Sequence, residues 1–264
     1  MKKTWILTIG ALILALSITP MLADDDDDNK GKGNGKGNSG NNNASDTSCN
    51  GLPTDAQIKT WLKAAPASGG KVGGLFNGER MWGAVVNRDG KVCAYAASQD
   101  DPTQVWPGSQ AIAKAKAYTA NAFSVDTLPL STARLYTFTQ PGHSLASLGF
   151  SNPFNAQFLA PTGGQGGGDN QIVGGMIFFG GGVPLYRAGK VIGGLGVSGD
   201  TACADHEVAK RVRTQALLVP PGSLGSDDIT YSVPDGASVF THPRCPETWR
   251  NGVFIGNEAA AVGY

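Results

Sequence analysis

The feature that most limits the fold is a hairpin signal between residues 81 and 96. Two apolar runs, Met81 to Val86 and Val92 to Ala96, flank the turn sequence Asn87-Arg88-Asp89-Gly90. An Asp-Gly turn between two such runs is typical of strands that pair antiparallel. A sheet that contains this hairpin is antiparallel at that point, which disfavours a doubly wound parallel sheet.

Three helices and a second group of strands complete the predicted order. Ala56 to Ala64 has apolar residues at helical spacing, and so has Gln110 to Phe123, with Ser109 as its N-cap. Asp205 to about Leu218 is the third predicted helix. The second strand group comprises Ile172 to Phe179, Val183 to Tyr186 and Val191 to Val197. The sequence thus predicts an α/β (α+β) domain in the order α-β-β-α-β-β-β-α, with helices packed on a central antiparallel sheet.

The first 48 residues have no pattern of a folded domain. Lys2 and Lys3 precede an apolar run from Trp5 to Ile18, and this pattern indicates a secretory signal peptide, with cleavage expected after Ala23. Residues 24–48 are acidic, rich in Gly and Asn and almost free of apolar side chains, so they predict a disordered linker. We therefore expect a periplasmic or secreted protein with one domain over residues 49–264. An uncleaved anchor helix is the alternative.

Cysteine content agrees with export. Four cysteines lie outside the predicted signal, and an even number of them in an exported chain predicts two disulfides. They are Cys49, Cys93, Cys203 and Cys245, and the sequence leaves all three pairings open. No CxxC pair and no Cys/His cluster at zinc spacing occurs, which disfavours a metal site built on thiolates.

Charge and motif content exclude several function classes. Lys+Arg and Asp+Glu balance at 21 each, so there is no electrostatic reason to expect nucleic acid or an anionic membrane as a partner. No GxxxxGK[ST] loop supports phosphoryl transfer. Ser198 lies in a Gly-x-Ser-Gly sequence, but Asp200 replaces the second glycine of a hydrolase elbow. No set of catalytic residues is therefore assigned.

Four segments carry a family resemblance. They are WGAVVNRDGKVCA, KAKAYTANAF, GGGVPLY and VIGGLGVSGDTACADHEVA, in that order along the chain. Together they resemble the haem-degrading and haem-binding family of the GlcG type, over about residues 55–215. The resemblance implies a profilin-like domain, haem as the ligand and homo-oligomers in some members. It also implies slow haem breakdown or iron handling in a few members.

The second predicted helix holds the first candidate haem contacts. Thr119 matches a family threonine that lies at the haem, and it is the best single candidate for the iron; the alternative is a threonine bonded back to its own helix. Lys116 is a candidate partner for a haem propionate, with a solvated lysine as the alternative. Tyr118 adjoins Thr119 and can supply a phenolic oxygen. Some members have acidic residues earlier on this helix, where this chain has Ala111 and Lys114, so an iron site of acids there is not expected.

Histidines supply the other candidates. His206 lies at the start of the third predicted helix, where an exposed imidazole can ligate haem iron or a divalent cation. His143 lies in an irregular excursion over residues 140–170 that can fold over a ligand. His242 is interpreted as a tail residue near a disulfide. The segment 219–264 is predicted to be a C-terminal extension with at most one short strand.

These observations favour an exported, soluble haem- or porphyrin-binding protein for storage, scavenging or sensing. One alternative is an enzyme of the same fold that degrades haem or acts on a small metabolite. Another is a non-catalytic, oligomeric interaction module. The absence of a convincing acid/base pair favours binding over catalysis.

Overall fold

The computed structural model describes residues 47–155, 171–224 and 226–260. The predicted signal peptide, and all of the predicted linker up to residue 46, lie outside the described residues. Within the described ranges, every helix is too short or too polar to cross a membrane.

The described chain contains five helices and six strands in two antiparallel sheets. The helices are α1 (Asp55–Ala64), α2 (Ser109–Phe123), α3 (Leu148–Ser151), α4 (Ala202–Gln215) and α5 (Ser232–Asp235). The strands are β1 (Trp82–Asn87), β2 (Val92–Ala97), β3 (Gly182–Arg187), β4 (Lys190–Ser198), β5 (Thr248–Arg250) and β6 (Val253–Gly256). The main sheet has the order β2-β1-β4-β3, and β5 pairs with β6 in a separate hairpin. The predicted class, a central antiparallel sheet with helices packed on it, is confirmed.

The sheet is built from two hairpins joined along their inner strands. β1 and β2 turn at residues 88–91, where Gly90 has a φ of 82° and the Asn87 side chain accepts a hydrogen bond from the Lys91 amide at 3.0 Å. β4 pairs with β1 from Trp82 opposite Ser198 to Asn87 opposite Gly193. The two hairpins therefore form one continuous sheet with β1 and β4 at its centre.

Each face of the sheet is covered by different helices. α1 and α4 pack on one face, where Ile58 and Leu62 meet Val208 and Val212 over the central strands. α2 covers the other face, and its alanines lie directly on β4. A Cβ at Gly196 would collide with the carbonyl oxygen of Ala113, so the small residues on both elements set how closely they approach.

All three predicted helices start earlier than expected, α1 by one residue, at Asp55. α4 begins at Ala202, three residues before the predicted start, because the Thr201 hydroxyl accepts a hydrogen bond from the Ala204 amide and caps the helix. It ends at Gln215 rather than near Leu218, and Leu217 adopts a φ of 57°. Ser109 is the first residue of α2, and Gly108 is the N-cap.

The predicted strand over Ile172 to Phe179 is wrong. This segment makes only isolated bridges, between Ile172 and Lys91 and between Gly174 and Phe154. Gly174 and Gly175 have φ values of 65° and 76°, which interrupt an extended strand. Its apolar alternation, which predicted a strand, instead places half-buried side chains along an irregular segment beside α2.

Both predicted disulfides are formed. Cys49 pairs with Cys93 and ties the start of the domain to β2. Cys203 pairs with Cys245 and ties α4 to the C-terminal extension. That extension contains the β5–β6 hairpin, one strand more than the sequence predicted.

Candidate functional site

Thr119 lies on α2 with its side chain fully buried. Its hydroxyl donates a hydrogen bond to the Ala115 carbonyl at 2.7 Å and accepts one from the Ile177 amide at 3.0 Å. The first bond ties the hydroxyl to its own helix, which was the expected alternative to a haem contact. The second bond fastens the irregular segment 172–179 to α2.

Lys116 is buried rather than solvated. Its Nζ donates to the Asp205 carboxylate at 2.6 Å and to the Val197 carbonyl at 3.1 Å, and it lies 4.8 Å from the centre of the Phe179 ring. Burial lowers the pKa of Lys116 and raises the pKa of Asp205 to about 6, and the attraction between the two groups partly offsets both shifts. In this arrangement the ammonium group is already paired inside the protein.

His206 is fully buried, whereas the sequence predicted an exposed imidazole. The earlier start of α4 explains the difference, since it places this residue in a part of the helix that faces inward. Its Nδ1 accepts a hydrogen bond from the Gly181 amide at 3.4 Å, and its Nε2 lies 3.5 Å from the Asp228 carboxylate, at the outer limit of a hydrogen bond.

His242 has a matching position that sequence reasoning missed. Its Nε2 accepts a hydrogen bond from the Gly180 amide at 3.2 Å, and its Nδ1 donates to the Pro243 carbonyl at 2.7 Å. Burial lowers the pKa of His242 to about 4, so the ring is neutral near pH 7. Two histidines, one from α4 and one from the extension, therefore accept hydrogen bonds from the consecutive amides of Gly180 and Gly181, just before β3.

The run of glycines at residues 180–182 is the sequence feature that indicates this arrangement. A Cβ at Gly180 would collide with the Ala202 carbonyl, and one at Gly181 would collide with the Val197 carbonyl. The run Gly180-Gly181-Gly182 thus marks a backbone that passes close to two other elements. The sequence alone does not indicate which side chains receive its amides.

The two remaining candidates are accessible. Tyr118 is half-buried and packs against the hairpin turn, where a Cβ at Gly90 would lie 2.6 Å from its ring. His143 is exposed on the loop before α3, while the other two histidines of the chain are buried. The two predicted iron ligands, Thr119 and His206, are therefore enclosed by protein, whereas His143, predicted only to fold over a ligand, is open to solvent.

Three phenylalanines form an aromatic face beside Thr119. Phe123 and Phe178 meet edge to face with ring centres 6.3 Å apart, and Phe178 also packs against Gly149. Phe150 follows on α3 with 91% of its side chain exposed. We call Phe123, Phe150 and Phe178 the aromatic face; Phe123 lies one turn along α2 from Thr119.

Three cavities around the described residues lie elsewhere. One of about 290 Å³ lies beside α4, near Glu207, Lys210 and Arg211. Others of about 380 Å³ and 240 Å³ lie near Glu79 and near Trp61. None of these three is lined by a predicted haem-contact residue.

Solved structures with a similar chain fold share little sequence with this protein. The protein ORFY from Klebsiella pneumoniae is 23% identical, and the match covers 63% of this chain and 92% of that chain with a TM-score of 0.43. A structure of a PduOC:heme complex is 23% identical over 61% of this chain and 90% of that chain, with a TM-score of 0.42. A double mutant of HbpS from Streptomyces reticuli is 20% identical over 62% and 86% of the two chains, with a TM-score of 0.40.

Among curated proteins, none matches this chain. A family model described as "Haem degrading protein HbpS-like" matches residues 75–213, more than half of the sequence. The match includes all four strands of the main sheet, α2 and most of α4. It confirms the resemblance that the four sequence segments carried, and it supports haem as the cofactor. The chain belongs to the haem degrading protein HbpS-like family.

Proposed function

We propose that this protein is exported and binds haem on the aromatic face. The observation that carries the proposal is the family match over residues 75–213, whose description names haem. This chain then supplies an open apolar surface of Phe123, Phe150 and Phe178 on which a macrocycle can stack. Burial of that surface against the ligand would contribute most of the binding free energy.

Only part of the predicted contact set fits haem in this arrangement. Haem, when bound, supplies an iron atom that takes a protein ligand. His143 is the histidine whose ring is open to solvent, and it lies on the same excursion as Phe150. The Thr119 hydroxyl could reach the iron only if its hydrogen bond from the Ile177 amide broke, because that bond holds the segment 172–179 over the hydroxyl. We therefore assign His143 to the iron and give Thr119 a structural role.

Haem titration of purified protein tests this assignment. We expect a saturable shift of the Soret band in the wild-type chain, and a changed band with at least about tenfold weaker binding in His143→Ala, because the imidazole ligand is lost. Thr119→Val should keep the wild-type spectrum and lower the free energy of unfolding. The reverse pattern would assign the iron to Thr119, and no saturable shift in the wild type would reject haem binding.

Export is supported by two features of the chain. The first 23 residues have the pattern of a secretory signal, and all four cysteines form disulfides, which persist in oxidising compartments. The mass of the mature chain purified from the periplasm or the medium tests this. We expect its N-terminus at Asp24; a full-length chain retained in the cytoplasm would contradict export.

Haem degradation is the second candidate, and the family description favours it. Supplying a reductant to the haem complex separates the two functions. Loss of the haem spectrum with release of iron to a chelator would indicate an enzyme, whereas a stable complex would indicate storage, scavenging or sensing. We also propose that the protein forms a homo-oligomer, as the family resemblance implies, and light scattering of the same complex tests this.

A further inference from the structure

Three metal-ligating side chains meet where α4 contacts the C-terminal extension. Cys203, His242 and Cys245 each offer one ligand atom, and these atoms all lie within 4.8 Å of one another. All three residues are at least nine-tenths buried. The two sulfurs are joined in a disulfide in this structure, so the imidazole lies beside a closed Cys pair. The family match ends at residue 213, before His242 and Cys245.

We propose that reduction of the Cys203–Cys245 disulfide creates a binding site for one Zn²⁺ ion. The ligands are the two thiolates and the His242 imidazole. Sequence spacing disfavoured a thiolate site because the residues do not form a local motif, but the fold brings them together.

The distances suit this ion. Zinc binds cysteine sulfur at about 2.3 Å and histidine nitrogen at about 2.0–2.1 Å, so tetrahedral ligand atoms stand roughly 3.5–3.8 Å apart. The three ligand atoms are already within 4.8 Å, and the separation of the two sulfurs must grow once their bond is broken. Rotation of the cysteine side chains provides that movement. A water molecule would complete the tetrahedron.

Surrounding groups favour the metal-binding form of each ligand. Cys203 is the second residue of α4, where the helix N-terminus stabilises a thiolate. The Sγ of Cys245 accepts a hydrogen bond from the Cys203 amide at 3.2 Å. His242 donates from Nδ1 to the Pro243 carbonyl, which orients the ring and leaves the lone pair on Nε2, where it accepts the Gly180 amide in this structure.

The change balances as a two-electron step followed by proton release. A dithiol reductant transfers two electrons and two protons to the S–S bond, which becomes two thiols, and the reductant becomes a disulfide. Binding of Zn²⁺ then displaces the two thiol protons into solvent. Nε2 of His242 exchanges its bond from the Gly180 amide for the metal, so the ion also acts on the entry to β3.

Cobalt is a suitable probe because thiolate-bound Co²⁺ absorbs light and Zn²⁺ displaces it. The full chain with Cys49→Ser and Cys93→Ser is used, so that Cys203 and Cys245 are its only cysteines. A phosphine, which is oxidised to its oxide with oxygen from water, reduces the protein without leaving a competing thiol. We expect one Co²⁺ per chain with a thiolate-to-cobalt charge-transfer band, no band in the oxidised chain, and loss of the band on adding one Zn²⁺.

The matched control carries Cys203→Ser and Cys245→Ser and keeps the other cysteine pair. It should show no such band after reduction. His242→Gln, which retains an acceptor for the Gly180 amide, should weaken Co²⁺ binding by at least about tenfold. Equal bands in the control, or unchanged binding in His242→Gln, would overturn the assigned ligands.

Circular dichroism, followed in the same titration, covers the case in which reduction unfolds the chain. Zn²⁺ must then restore the native spectrum, because binding to the folded site stabilises it. A reduced chain that stays unfolded with Zn²⁺, or a folded one that binds no metal, would overturn the proposal.

Discussion

At the scale of single residues, three of the predicted haem contacts are held inside the protein. Lys116 and His206 lie close to the entry to β3, and Thr119 accepts a hydrogen bond from the Ile177 amide. All three side chains are buried. The reason is that burial depends on which elements pack together. Asp205 accepts a hydrogen bond from Lys116, and His242 accepts one from the Gly180 amide. In each pair the two residues are far apart in sequence.

Replacing Lys116 tests the cost of its buried ion pair. Lys116→Met leaves the Asp205 carboxylate buried without its cation, and we expect the free energy of unfolding to fall by about 3–5 kcal/mol. Urea denaturation followed by fluorescence measures this. Lys63→Met removes an exposed partner of Asp100 and serves as the control, with little expected change. Equal stability of the two variants would contradict a structural role for the buried pair.

At the scale of elements, local patterns predicted most of the main sheet. The Asp-Gly turn and the flanking apolar runs located β1 and β2 within one residue of their observed bounds. The segment 172–179 failed because apolar alternation looks the same in a strand and in an irregular stretch, and the positive φ values at Gly174 and Gly175 decide between them. The contact of α2 with β4 follows from the alanines of α2 and the glycines of β4.

A methyl group added between these two elements tests that contact. Gly196→Ala would place its Cβ against the backbone of Ala113, which cannot rotate away. We therefore expect the free energy of unfolding to fall by about 1–3 kcal/mol or more. Thermal unfolding measures the change. Gly222→Ala, where an added Cβ meets nothing within 4 Å, is the matched control and should remain near wild type. A stable Gly196→Ala protein would mean that α2 lies farther from the sheet.

At the scale of the whole molecule, the C-terminal extension is built into the domain. Besides the Cys203–Cys245 disulfide, Arg213 at the end of α4 binds the buried carboxylate of Asp227 through two hydrogen bonds of 2.6 and 2.8 Å. The sequence predicted a disulfide in this region but not the ion pair, since nothing in the local pattern around residue 227 indicates a partner on α4.

Acid should weaken this attachment. Burial by itself would raise the pKa of Asp227, but the hydrogen bonds and charge of Arg213 hold that pKa below the ordinary value of 3.8. Because the pKa of Asp227 is lower in the folded chain than in the unfolded chain, its carboxylate stabilises the folded state at pH values above the unfolded pKa. That stabilisation is lost as the pH falls through the folded pKa. Denaturant titrations should therefore show Asp227→Asn less stable than wild type at pH 7, with the difference shrinking below about pH 4. A difference that is constant with pH would contradict the ion pair.

The histidines that accept the Gly180 and Gly181 amides show that the folded domain extends beyond the segment that the family model matches. The family match ends at residue 213, yet the ring that accepts the Gly180 amide comes from residue 242. A shortened protein cut at the family boundary would leave that amide without its acceptor at the start of β3, where it is buried away from water. A stable version of this domain therefore needs the C-terminal extension as well as the segment that the family model matches.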